Sequence, residues 1–160
     1  MIVDIGLYQL DIDVERTNAY YATLDGTGCD CAGCRNYMKA IPDLPEPILA
    51  FLHQFGIDPR NPIEMSVLHS PDGETTLYNG FFYVCGTILE GNNPWIPVGA
   101  KAYQLDESYR IDLTENSSAY FEEEPIRLDK AFPSPTIRIE ITFSLPWVLN
   151  EPNPYHQRRS

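Results

Sequence analysis

The chain has 160 residues, 43% of them hydrophobic and 12% aromatic, and carries a formal charge of −12 from 23 acidic against 11 basic side chains. That length buries a core without needing disulfides or metals to complete it, and the composition excludes a disordered polymer. The acidity opposes binding to phosphate backbones and to anionic membrane surfaces, so neither a nucleic acid nor a membrane is an expected partner; a protein with a basic surface is permitted.

Residues 2–14 alternate Ile, Val and Leu with Asp and read as one long strand with a wet face. The segment from Ala19 to Leu24, rich in Tyr and Thr, reads as a second short strand ended by Asp25-Gly26-Thr27-Gly28. From Cys34 the apolar positions Cys34, Tyr37, Met38 and Ile41 fall at i, i+3, i+4 and i+7, the stripe of a short amphipathic helix that Pro42 and Pro45 end. A second helix starts near Pro45 or Glu46, presents Ile48, Leu49, Phe51, Leu52 and Phe55, and stops before Gly56.

Beyond the turn residues Asp58-Pro59-Arg60-Asn61-Pro62 the pattern becomes that of strands. Ile63 to His69 alternates, Ser70-Pro71-Asp72-Gly73 is a turn, and Thr75 to Tyr78 pairs back across it. Gly80 to Leu89, GFFYVCGTIL, is nearly continuous apolar sequence and reads as a central strand buried on both faces. Glu90 to Gly99 is a proline-rich loop carrying Trp95, and further strands follow near 101–105, 109–113, 118–122 and 136–144. The expected fold is α+β, a mainly antiparallel, sandwich-like sheet with two consecutive helices inserted in the N-terminal third. Residues 1–160 are expected to form a single domain, with 150–160, which includes the basic run His156-Gln157-Arg158-Arg159, as a flexible tail.

The N-terminal residues Met1-Ile2-Val3-Asp4-Ile5-Gly6 lack a basic region and a following apolar stretch, and no window approaches the ~18 apolar residues of a membrane span. The expected compartment is therefore the cytoplasm, where thiols stay reduced. Four cysteines then read as metal ligands, reactive groups or ordinary buried side chains rather than as a disulfide framework.

Three of them crowd into Cys29-Asp30-Cys31-Ala32-Gly33-Cys34, immediately before the first predicted helix. Zinc takes four tetrahedral ligands, and short cysteine spacings let one loop present several thiolates to one ion. Cys29, Cys31 and Cys34 supply three ligands for Zn2+, with Cys85 the preferred fourth and His53 its alternative. Two other readings stand beside this one. Cys31 and Cys34 form a CxxC pair whose thiol the helix dipole would activate, and three reduced thiols at a helix start also occur as plain capping residues. The lone histidines His53, His69 and His156 have no carboxylate at helical spacing to orient them, and no phosphate loop, GxSxG elbow or HExxH pair is present, so no catalytic or cofactor-binding residue is assigned.

The segments GCDCAGCRNYMKAI, PEPILAFLHQFGIDPRNPIE, LYNGFFYVCG and SLPWVLNEP together resemble a family of small uncharacterised bacterial proteins, mainly from Gram-positive species, marked by a CxCxxCRNY motif. The resemblance runs in fixed order over most of the chain and implies a lone cytosolic domain; it brings no activity or catalytic residue. The reading that results is a non-enzymatic binding or interaction protein with a candidate structural zinc site at the CxCxxC loop. The alternatives are a thiol-dependent enzyme, redox or nucleophilic, and an acidic immunity or inhibitor protein that neutralises a basic partner.

Overall fold

In a computed structural model, residues 1–26, 28–91, 93–124 and 131–156 are described. The fold is α+β, with the helices in the N-terminal half and a seven-stranded, mostly antiparallel sheet. Its centre is a pair of long strands, Thr75–Glu90 (β4) and Thr136–Pro146 (β9), paired from Thr75 opposite Pro146 to Cys85 opposite Thr136. The expected strand at 75–78 and the expected central strand at 80–89 are thus one element. It is buried on both faces only over Phe82–Gly86; it alternates before that stretch and opens to solvent over Thr87–Glu90.

On the outer side of β9 lie Ser117–Glu123 (β8) and then Ile111–Thr114 (β7). The other edge of β4 is shared by two strands placed end to end. Glu64–His69 (β3) pairs with its first half through Val67 opposite Tyr78, and Tyr8–Ile12 (β2) with its last quarter through Ile12 opposite Gly86. Ile2–Ile5 (β1) completes the sheet beyond β2. A two-stranded hairpin, Trp95–Val98 (β5) with Ala102–Leu105 (β6), stands off the main sheet, where the sequence suggested a loop around Trp95.

Two N-terminal expectations are corrected. Residues 2–14 do not form one strand: the chain reverses at Gly6, whose φ of +56° suits glycine, so Ile5 lies opposite Tyr8. Nor is 19–24 a strand, because Val14–Tyr21 is a helix (α1). Asp13 caps it, accepting the Arg16 N–H at 3.0 Å, and Glu15 sits in the first turn where the helix dipole favours a carboxylate.

The buried side chains of α1 explain why this Tyr-rich segment is helical. Between the first residue of β3, opposite Phe81, and the last of β2, opposite Gly86, the β4 backbone at Tyr83 and Cys85 has no strand neighbour on that edge among the described residues. Tyr21 Oη accepts the Tyr83 N–H at 3.1 Å and donates to the Tyr83 carbonyl at 2.7 Å, while Thr17 Oγ1 accepts the Cys85 N–H at 2.9 Å. Two hydroxyls on one helical face therefore stand in for a missing strand, and buried backbone groups of this kind are costly to leave unpaired.

The other two helices match the sequence pattern: Ala32–Ala40 (α2) and Glu46–Gln54 (α3). They bury Tyr37, Ile48, Phe51, Leu52 and Phe55 against Tyr78, Phe82, Phe121 and Phe143 of the sheet. Phe51 and Phe55 both meet the Phe121 ring, with centroids at 6.0 and 5.7 Å.

After β9 the chain folds back beside α2. Trp147 N–H donates to the Glu74 carbonyl at 2.7 Å, Asn153 Nδ2 donates to Thr76 Oγ1 at 3.0 Å, and Ser70 N–H donates to the Tyr155 carbonyl at 3.3 Å. Part of the stretch expected as a tail is thus held by hydrogen bonds as far as His156; residues 157–160 lie outside the described residues. No helix among the described residues is long and apolar enough to cross a membrane.

Candidate metal centre

The cysteine loop is shaped by the start of α2. Cys31 is the N-cap residue, extended in backbone, with its Sγ accepting the Cys34 N–H at 3.4 Å. Cys29 Sγ lies 3.1 Å from Cys31 Sγ, and Arg35 Nε donates to the Asp30 carbonyl at 3.2 Å, which folds the loop back over the helix start. Cys29 and Cys31 are exposed, Cys34 is buried, and all three are free thiols.

Behind the loop, α2 is fastened to the sheet and to the segment after β9. Gly33 N–H donates to Tyr155 Oη at 3.2 Å, and the Gly33 carbonyl accepts from Tyr78 Oη at 2.8 Å. A Cβ at this position would sit 2.6 Å from Val67 Cγ2 of β3 and 3.0 Å from Tyr155 Oη, so any larger residue would push both side chains aside. One turn on, the fully buried Asn36 amide donates to Tyr78 Oη and to the Pro146 carbonyl, both at 3.1 Å, and accepts the Val148 N–H at 2.7 Å. Outside, Arg35 pairs with Glu151. Loop, helix start and returning segment are therefore one hydrogen-bonded assembly.

The sulfur atoms of Cys29, Cys31 and Cys34 all lie within 4.8 Å of one another. Around one ion at a metal–sulfur distance of ~2.3 Å, three sulfurs sit ~4 Å or less apart. Cys29 and Cys31 already lie inside that range, 3.1 Å apart.

The thiols differ in acidity. Hydrogen bonding from Cys29, followed by the Cys34 N–H, lowers the Cys31 thiol from 9.0 to about 7, with a further contribution from the Tyr155 hydroxyl. Burial pushes Cys34 strongly upward, and the neighbouring thiols of Cys29 and Cys31 add to the shift. Burial also raises Tyr155 above the usual phenol range. The cluster thus has one thiol poised for ionisation and one that burial holds in the protonated form.

The other predicted ligands are elsewhere. Cys85 is buried in β4 opposite Thr136, its backbone amide holding Thr17 of α1, and burial raises its thiol. It stands seven residues along β4 from Tyr78, the residue that meets Gly33, which is roughly 23 Å of strand. Cys85 therefore does not complete the site. His53 is exposed in the last turn of α3 and His69 exposed at the end of β3, whereas His156 faces the Ser70 carbonyl with Nδ1 at 3.2 Å. Among the described residues, Cys29, Cys31 and Cys34 are the one group of three or more such ligands close enough to share an ion.

Sequence reasoning did not find Tyr155, Asn36 or Tyr78, which hold the loop in place. Asn36 carries a partial signal, since an asparagine between buried Cys34 and Tyr37 must either reach solvent or find partners; Tyr155 and Tyr78 carry none. A 270 Å³ recess beside the sulfurs is lined by Cys29, Cys34, Ile63, Glu64 and Met65. Comparisons with protein-family models, curated proteins and solved structures return no match.

Proposed function

We propose that the chain is a non-enzymatic binding domain whose cysteine loop holds a thiophilic metal ion, zinc in the first instance, through Cys29, Cys31 and Cys34. The observation that carries this is the convergence of three unbridged sulfurs within 4.8 Å at the start of a helix. A bound ion would tie the exposed half of the loop to the buried Cys34 and so to the assembly of α2, Asn36 and Tyr155. It would also supply the positive charge that ionises Cys34. The charge of −12 adds the expected partner, a protein with a basic surface, and a reducing compartment such as the cytoplasm keeps the three thiols available.

The test is elemental analysis of chain purified without chelators or metal-affinity steps, combined with mapping of alkylated cysteines. Near one zinc per chain, with the exposed Cys29 and Cys31 protected until a chelator is added, is the expected result. Metal-free protein that fails to take up zinc and leaves Cys29 and Cys31 freely alkylated would remove the proposal.

A second reading, a thiol-dependent enzyme with Cys31 as nucleophile, is favoured by one observation: Cys31 is exposed, its thiol is lowered to about 7, and a second sulfur lies 3.1 Å away. Alkylation of Cys31 far ahead of Cys29 in chain that binds no metal would favour this reading.

A further inference from the structure

The donor inventory of the loop goes further than the presence of three thiols. The chain has four cysteines and three histidines, and all seven lie among the described residues. Only Cys29, Cys31 and Cys34 converge, so sulfur and imidazole together give this site three donors and no fourth. Structural zinc is closed by four ligands, and a zinc ion here would keep one position for water. Glu64 lines the nearby recess, but neither it nor Asp30 of the loop brings a carboxylate oxygen into the group of mutually close donors.

Charge makes the same point. Three thiolates around a divalent ion leave a net negative centre. Asp30 is in the loop itself, Glu64 lines the recess, and Glu151 lies beyond Arg35, whose guanidinium is already paired with Glu151 and near Asp30. A trivalent ion with three thiolates is neutral and adds no charge to a chain at −12.

We propose, on the reading that this loop is a thiophilic-metal site, that its matching occupant is trivalent arsenic, held as a three-coordinate trithiolate by Cys29, Cys31 and Cys34. Trivalent arsenic is thiophilic and pyramidal, with a lone pair at the fourth vertex, so three sulfurs on one side of the ion saturate it. The loop presents its sulfurs in that way, from one short segment with Cys29 and Cys31 open to solvent. Arsenous acid is uncharged at neutral pH, so the acidic surface does not repel it as it would an oxyanion. In binding, three As–S bonds form and three As–O bonds break. Each hydroxyl leaves as water with the proton of one thiol, and arsenic stays trivalent throughout, so no oxidant or reductant is required.

The experiment adds sodium arsenite or zinc chloride, in parallel, to the reduced, metal-stripped full chain, followed by native mass spectrometry and cysteine mapping. Arsenite should add one arsenic per chain with loss of three protons, the mass signature of three As–S bonds; in the folded chain it should protect the exposed Cys29 and Cys31, and alkylation after unfolding should label Cys85 while Cys29, Cys31 and Cys34 stay blocked. Cys29→Ser and Cys31→Ser, both at exposed positions, should weaken arsenite binding by more than the ~10–100-fold that loss of an outer hydrogen-bond partner costs a metal site. Cys85→Ser should leave it unchanged. Protection of Cys29 and Cys31 by zinc with none by arsenite, or arsenite bound with loss of fewer than three protons, overturns this inference while the metal-site reading stands. Protection by neither overturns both.

Discussion

Cys85 and the cysteine loop offer the same chemical group in opposite settings. The loop thiols are brought together by spacing over six residues, with two exposed and one lowered toward neutrality by its neighbours. Cys85 is fixed by the register of a 16-residue strand, shut into the core, with burial raising its thiol. The difference shows that local spacing decides which thiols can share an ion, whereas strand register decides which thiols serve only as packing. Substitutions should therefore separate metal uptake from stability.

The largest stability loss is expected where the loop's support is cut. Asn36→Ala leaves the Val148 N–H and the Pro146 carbonyl without their buried partner and should cost roughly 2–4 kcal/mol in chemical unfolding. A loss below ~1 kcal/mol would mean that water replaces the amide. Next, Thr17→Val removes the acceptor of the Cys85 N–H on the other flank and should cost about 1–3 kcal/mol without changing metal content. Metal content that fell with it would tie Cys85 to the site after all.

Cys31→Ser should do the reverse. Serine is a good N-cap, so the metal-free chain should unfold within ~1 kcal/mol of wild type while zinc uptake is lost. Equal metal content in wild type and variant would break the comparison at its centre.

The smallest effect concerns pH. The folded chain favours the Cys31 thiolate, since its thiol lies at about 7 against 9.0 for an ordinary cysteine. The corresponding contribution to folding is present above the ordinary thiol range and is lost as pH falls through about 7. In metal-free protein the alkylation rate of Cys31 should rise with a midpoint near 7, and Tyr155→Phe, which removes a hydroxyl that favours the thiolate, should move it upward. A midpoint near 9.0 in wild type would show that the sulfurs do not interact in solution.

Helix α3, the β3 turn and the alternation of β9 were legible because each has a period that local sequence carries without distant help. The first 24 residues were not. The alternation of Ile2 to Val14 continues through the reversal at Gly6, and Ala19 to Leu24 has strand-like composition, yet the hydroxyls of Thr17 and Tyr21 are wanted on one helical face by β4. At the site, the three loop thiols could be read from spacing alone. Cys85 could not be set aside, nor Tyr155 found, because both depend on contacts between distant segments: Thr17 and Cys85 are 68 residues apart, Gly33 and Tyr155 122.

That separation fixes an order of events during synthesis. The loop thiols leave the ribosome more than 110 residues before Val148 and Tyr155, the residues that brace Asn36 and Gly33. Throughout that interval the nascent chain thus carries three bare sulfurs on an unbraced helix start. Any ion captured in that interval meets a flexible chelating peptide, and the folded coordination shape can select its occupant only once the returning segment has docked.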